Sequence, residues 1–103
     1  MNCAFEELLV EVWRQTLVEN ARTVELGEAR YPVKRTPRRG LRQVDFIYED
    51  TEIRGLEQNP QTQSHWAELA RAGQKVMQFL SRGRYVANVV EGKVTIYGRR
   101  SKA

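Results

Sequence analysis

Residues 3–20 carry apolar side chains at the spacing of an amphipathic helix. The apolar positions recur at intervals of three and four, which places them on one face of a 3.6-residue period. Asn2 is a suitable N-cap, and Glu6 and Glu7 lie near the positive end of the helix dipole. We therefore predict a first helix over 3–20, with an apolar stripe formed by Phe5, Leu8, Leu9, Val12, Trp13 and Leu17.

After this helix the pattern changes to short runs of β-forming residues separated by turn residues. Gly27–Glu28 suits a hairpin turn, and the polar triplet 49–51 is typical of another. Pro32 restricts its strand to an edge or to a position that needs no N–H donor. The predicted strands are 23–26, 29–36, 41–48 and 52–57.

A second helical pattern begins either at the cap Asn59 followed by Pro60 or at Ser64, and it ends before Gly83. A final hairpin, 84–90 and 93–98, is joined by Glu91–Gly92, where glycine supplies the positive φ of a two-residue turn. The apolar stripe of this second helix is Trp66, Leu69, Ala70, Gly73, Val76, Met77 and Leu80.

These elements predict one α+β domain in the order α-β-β-β-β-α-β-β, since 103 residues suffice for one core. Hairpins dominate, so we expect an antiparallel sheet of five or six strands packed against two amphipathic helices. The domain is expected to span 1–98, followed by a short basic tail, 99–103, that is disordered. The sequence contains no internal repeat.

The charge of the chain is unevenly distributed. The net charge is +4, yet 29–44 holds six cations and no acid, and the last five residues hold three more cations. The remaining eight cations stand beside 13 acids. An acidic body with a basic loop and a basic tail creates a local electric field whatever the average charge.

The basic segment is the first candidate site. Several Arg side chains on a hairpin tip can neutralise phosphates and form bidentate contacts, so nucleic acid is the first partner that this segment suggests. An acidic protein is the second, and a solvated turn without a partner remains open. No known nucleic-acid-binding motif is complete in the chain. The candidate residues are Arg30, Lys34, Arg35, Arg38, Arg39 and Arg42.

The second candidate is the polar junction that precedes the second helix, represented by Glu57, Asn59, Gln61 and His65. A helix N-terminus can hold an anion, and His65 with Glu57 could exchange protons, but the same residue types also suit ordinary helix capping. Nothing joins these residues, or Cys3, into a catalytic set, so we expect no enzyme activity.

Other features limit the class of protein. One Cys and one His exclude a Cys/His zinc site within one chain, and we expect no metal and no cofactor. No apolar run approaches the length of a membrane span, and the N-terminus does not resemble a signal peptide. We therefore expect a small, non-enzymatic, cytoplasmic binding module of bacterial type. The alternative is a protein–protein adaptor or homodimer that uses the first helix.

Overall fold

One six-stranded antiparallel sheet organises the part of the chain that the computed structural model describes, residues 3–37, 48–73, 76–81 and 84–99. The predicted fold class is confirmed, since two α-helices accompany this sheet. The helices are α1, Cys3–Trp13, continued by a π-helical turn at Arg14–Val18, and α2, Gln63–Arg71. The strands are β1 Thr23–Leu26, β2 Ala29–Pro37, β3 Tyr48–Ile53, β4 Val76–Ser81, β5 Tyr85–Val90 and β6 Lys93–Arg99.

The order of the strands in the sheet is β1-β2-β3-β6-β5-β4, so β1 and β4 are the edges. Along the chain each half consists of a helix followed by three strands. The pairing of β3 with β6 joins the two halves at the middle of the sheet. The element order therefore repeats although the sequence does not.

The core lies between α1 and one side of the sheet, which we call the inner face. Alternate strand residues point to it, so β5 and β6 contribute every second side chain. None of the helices in the described part of the chain is long and apolar enough to cross a bilayer. The buried apolar residues of α1 and the strands are Phe5, Leu8, Leu9, Val12, Val24, Leu26, Tyr31, Ile53, Tyr85, Ala87, Val89, Val94 and Ile96.

The opposite side of the sheet, which we call the open face, remains in contact with solvent. Its described side chains are all exposed or half-buried. The register aligns them in rows across the strands, with Gln78, Asn88, Thr95, Glu52 and Lys34 in one row and Leu80, Val86, Tyr97, Asp50 and Thr36 in the next.

The predicted turn at 49–51 is wrong, because β3 runs through it. Pairing on both sides, with β2 and with β6, holds these residues in the sheet, and Thr51 is fully buried on the inner face. The predicted strand 41–48 lies almost entirely outside the described residues, and the predicted strand 52–57 ends early. Gly55 takes a φ of 87° and a short 3₁₀ turn follows at Leu56–Gln58.

The second helix is shorter than predicted. It ends at Arg71, and Gly73 has a φ of 74°, which suits the residue after a helix terminus. The apolar run that was predicted to continue the helical stripe is strand β4, paired with β5. The element order is therefore α-β-β-β-α-β-β-β, with three strands after each helix rather than four and two.

Gly98 permits the close approach of the π-helical turn to the sheet. A Cβ atom at this position would lie 2.5 Å from Leu17 Cδ1 and 2.8 Å from the carbonyl oxygen of Arg84. We expect Gly98→Ala to lower the free energy of unfolding by about 1–3 kcal/mol through overpacking, measured by urea denaturation. Thr95→Ala, on the open face of the same strand, is the control and should change it by less than about 0.5 kcal/mol. Equal effects of the two substitutions would contradict this packing.

Candidate functional site

Several strands end or begin at one end of the sheet, which we call the basic end and define by Pro37, Tyr48, Arg84 and Arg99. Pro37 is the last residue of β2 and pairs with Glu49, while Tyr48 begins β3 and pairs with Arg99 at the end of β6. Tyr85, which follows Arg84, pairs with Gly98 beside them. Pro37, Tyr48 and Arg99 therefore lie on the adjacent strands β2, β3 and β6, and Arg84 directly precedes the next strand, β5.

Two cation-rich segments of the sequence are attached at the basic end. Residues 38–47 connect Pro37 to Tyr48, and residues 100–103 follow Arg99. The candidates Arg38, Arg39 and Arg42 and the predicted disordered tail lie outside the described residues, apart from Arg99. Their points of attachment, Pro37, Tyr48 and Arg99, lie on neighbouring strands.

The other end of the sheet carries a different balance of charge. The hairpin turns at Gly27–Glu28 and Glu91–Gly92 both lie there, and Glu28, Glu57 and Glu91 are exposed. Arg54 also lies at this end, where its Nε contacts Glu52 Oε1 at 2.5 Å. The hydrogen bond from Arg54 is the main cause that lowers the pKa of Glu52, with smaller contributions from Lys93 and Lys34. This end therefore carries exposed carboxylates together with cations, whereas the two cation-rich segments are attached at the basic end.

Two of the predicted cations lie on β2 away from the basic end. Arg30 is at the beginning of the strand and 77% exposed, with Nε 3.5 Å from Glu25 Oε1. Lys34 is exposed on the open face, opposite Glu52 in the register. The segment that was predicted as a single basic surface is thus largely a strand, along which the cations are spread from one end of the sheet to the other.

Arg35 points to the inner face and has a structural contact there. Its Nη2 donates to the carbonyl oxygen of Thr16 at 2.6 Å and to that of Ala21 at 2.8 Å. Carbonyl groups at the end of a helical segment carry partial negative charge, so a guanidinium suits this position. Arg35 therefore connects the end of the π-helical turn to β2, which is a different role from the predicted anion contact.

Arg84 at the basic end was not among the predicted site residues. Its guanidinium lies over the ring of Trp13, 5.6 Å from the centroid, and the side chain is exposed. This cation–π contact connects the end of α1 to the start of β5. Its only sequence signal is the basic stretch 82–84 beside a predicted strand.

The polar junction is a folded turn in which buried polar side chains form hydrogen bonds with backbone N–H and C=O groups. Asn59 is 1% exposed, and its Oδ1 accepts a hydrogen bond from the Gln61 N–H at 2.8 Å. The hydroxyl of Thr62 donates to the carbonyl oxygen of Leu56 at 2.5 Å. The Leu56 N–H in turn donates to the Gly92 carbonyl oxygen at 3.2 Å, which fastens the turn to the β5–β6 hairpin. Asn and Thr side chains commonly form such hydrogen bonds to nearby backbone groups at the start of a helix.

The structure gives the candidate residues of this junction different neighbours. Glu57 lies against Gly92, where a Cβ would come within 3.0 Å of its Cγ, and His65 stacks on Phe5 with ring centroids 4.7 Å apart. Gln61 lines an open groove of about 510 Å³ together with Glu7, Glu11 and Glu25. Hydrogen bonds from Arg14 and Gln15 lower the pKa of Glu11.

Among the described residues, no group of three or more His, Cys, Asp or Glu could hold a metal ion.

The contact of Arg35 can be tested through stability. Arg35→Met removes two charge-assisted hydrogen bonds from a half-buried position, so we expect it to lower the free energy of unfolding by about 1–3 kcal/mol in urea denaturation. Lys34→Met is the matched control, because it removes the same charge one residue away on the open face. It should change the free energy by less than about 0.5 kcal/mol. Similar changes in the free energy of unfolding for both variants would show that the contacts of Arg35 with the carbonyl groups do not contribute to stability.

Tyr85 gives the fold a dependence on alkaline pH. Burial, followed by the nearby carboxylate of Glu6, raises the pKa of Tyr85 above its ordinary value of 10.0. The folded state therefore holds this proton more tightly than the unfolded state, and the stability that results is present below pH 10.0 and lost as the pH rises through the folded pKa. We expect Tyr85→Phe to remove part of the alkaline loss in urea stability relative to neutral pH. An unchanged alkaline loss would contradict this assignment.

Comparisons with known proteins give no relative for this arrangement: no protein-family model matches the chain, and neither the curated proteins nor the solved structures contain a match.

Proposed function

We propose that this protein is a non-enzymatic binding module that contacts nucleic acid through the basic end of the sheet. The observation that carries the proposal is the attachment of two cation-rich segments to adjacent strands at that end. Arg84 adds a described, exposed cation beside them. The cations in the segments that the chain attaches at this end are Arg38, Arg39, Arg42, Arg82, Arg84, Arg99, Arg100 and Lys102.

The spread of these attachment points favours a polymeric anion over a small one. Neighbouring strands lie about 4.8 Å apart, so the four strands of the basic end span about 14 Å. Phosphates follow one another at about 3.4 Å of axial rise along each strand of a duplex, so several of them fit along this width. Each phosphate that Lys or Arg neutralises releases counterions, which makes the affinity depend steeply on salt.

The composition of the cluster favours phosphate as the chemical group. Seven of the eight cations are Arg, whose planar guanidinium donates two parallel hydrogen bonds to a phosphate. The exposed carboxylates of Glu28, Glu57 and Glu91 at the opposite end would repel the same polyanion and so favour one orientation of the protein on it. An acidic protein could use the same charges, and it forms one of the outcomes of the test below.

The earlier alternative of an adaptor or homodimer built on the first helix has less support. The apolar stripe of α1 lies in the core, with Phe5, Leu9 and Val12 nearly or fully buried against the sheet. The described part of α1 and the π-helical turn that continues it therefore present mainly charged residues to solvent, such as Glu6, Glu7 and Arg14. A partner for this helix would have to recognise charge rather than the predicted apolar face.

Charge reversal at the two ends of the sheet tests the proposal. We expect Arg38→Glu with Arg39→Glu to weaken binding to a labelled RNA or DNA oligonucleotide at least tenfold at low salt and to lower the salt slope by about 2, because two phosphate contacts are lost. The matched control is Arg30→Glu with Arg54→Glu. It alters the net charge by the same amount through exposed residues away from the basic end. Fluorescence anisotropy over a salt titration measures both.

Three other outcomes would count against the proposal. Equal weakening by the two double variants would mean that net charge, rather than the basic end, determines binding. Absence of binding at low salt would remove nucleic acid as the partner. Tight binding of polyglutamate with none of RNA or DNA would replace it with an acidic protein.

A further inference from the structure

The two edges of the sheet differ in how their backbone is protected. At β1, the Glu25 N–H donates to Gln15 Oε1 at 2.8 Å, and Gln15 Nε2 donates to the Glu25 carbonyl oxygen at 2.8 Å. The Gln15 amide thus occupies the position that the backbone of another strand would take. With only four residues, β1 is closed to further pairing at its centre.

At β4, the outward-facing backbone groups can be identified from the register. Val90 and Lys93 close a two-residue hairpin turn and therefore form a hydrogen-bonded pair, and such pairs alternate along antiparallel strands. It follows that Met77, Phe79 and Ser81 bond to β5, so that the N–H and C=O groups of Val76, Gln78 and Leu80 point away from the sheet. Within the described part of the chain, no hydrogen bond reaches these outward groups.

Strand β4 also lacks the features that usually protect an edge. It has six residues without Lys, Arg or Pro. Leu80 is 74% exposed, and it is the large hydrophobic side chain that the described structure leaves most in contact with solvent. An open groove of about 610 Å³ runs beside the strand, with Glu6, Glu7 and Val10 of α1 on its other side. The groove leaves room for another extended segment along β4.

We propose that β4 pairs antiparallel with β4 of a second copy of this chain, with Gln78 on the two-fold axis. A two-fold contact requires a self-complementary surface, and residues 76–80, Val-Met-Gln-Phe-Leu, have the same order of apolar and polar residues in both directions. This register sets Val76 opposite Leu80 of the second copy, Met77 opposite Phe79, and Gln78 opposite its own equivalent. Every apolar residue of the segment then faces an apolar one.

The same register satisfies the outward backbone groups. Val76, Gln78 and Leu80 become hydrogen-bonded pairs with Leu80, Gln78 and Val76 of the second copy, which gives about six backbone hydrogen bonds. The result is a continuous sheet through both copies, with the exposed side chain of Leu80 covered at the seam. The paired residues 76–80 are separate from the two cation-rich segments, although Arg84 lines the groove beside β4. The inference does not depend on nucleic-acid binding.

Sedimentation velocity tests the dimer. We expect the 12.0 kDa chain to show a concentration-dependent increase towards twice this mass. Gln78→Pro removes an outward N–H and the side-chain hydrogen bond to Asn88 but no backbone hydrogen bond to β5. Leu80→Lys introduces a charge at the seam, so both variants should sediment as monomers. Thr23→Lys is the matched control, since it is exposed on the open face of the opposite edge strand, and it should dimerise like the wild type. Circular dichroism verifies that each variant is folded.

Disulfide trapping tests the register. In a Cys3→Ala background, two Gln78→Cys residues facing each other in a hydrogen-bonded pair would have Cα atoms about 5.5 Å apart, which permits a disulfide. Leu80→Cys is the matched control, because its equivalent would lie four residues away along the seam, about 13 Å. We expect a covalent dimer on mild oxidation with Gln78→Cys and little with Leu80→Cys.

Three results would overturn the dimer or its register. A wild-type monomer at all concentrations would overturn the proposal, and so would a dimer that survives both Gln78→Pro and Leu80→Lys, because another surface would then hold it. Equal trapping of Gln78→Cys and Leu80→Cys would overturn the register and leave only random collision between exposed thiols.

Discussion

The burial of one side of α1 on the inner face of the sheet is the interaction on which the rest of the structure depends. Leu9 and Val12 are fully buried there, and the burial of such side chains contributes about 1.5–3 kcal/mol each. Gln15 and Arg35 then fix the end of the same helical segment to β1 and β2 through backbone contacts. Because the helical layer covers one side of the sheet, the surfaces that remain for a partner are the open face, the two ends and the β4 edge.

Those surfaces differ in physical character, which is why they suggest different partners. The basic end carries the attachment points of two cation-rich segments, and a long-range field acts on a charged polymer before contact is made. The β4 edge offers backbone hydrogen bonds and apolar side chains, which act only at contact and over a matching length of chain. Nucleic acid and a second copy of the protein would therefore use different kinds of contact, and Arg84, which lies at the basic end and lines the groove beside β4, is adjacent to both.

The sequence could predict elements whose signal is local. The 3.6-residue period of α1, the Gly92 turn, and Pro32, which lies one residue beyond the pairing of β2 with β3, all agree with the structure. Residues 76–80 could not be assigned in this way, since a short apolar run suits a helix or a strand and the pairing with β5 decides. Composition was misleading at 49–51, where position between two strands outweighs turn preference. For the candidate site, the alternation of side chains along β2 could have predicted that Lys34 and Arg35 lie on opposite faces of the sheet. The attachment of the loop and the tail to neighbouring strands could not be predicted, because it depends on the pairing of β3 with β6.

That pairing of β3 with β6 has a consequence for how the chain reaches its fold. Of the five strand pairings among the described residues, the other four join strands that are consecutive in the chain. Ile53 and Val94, by contrast, lie about 40 residues apart in sequence, so their meeting requires the closure of a long loop. Each three-strand half can form its hairpins locally, whereas the joining of the halves closes the longest loop. The middle of the sheet, rather than its edges, is therefore where topology sets the folding rate.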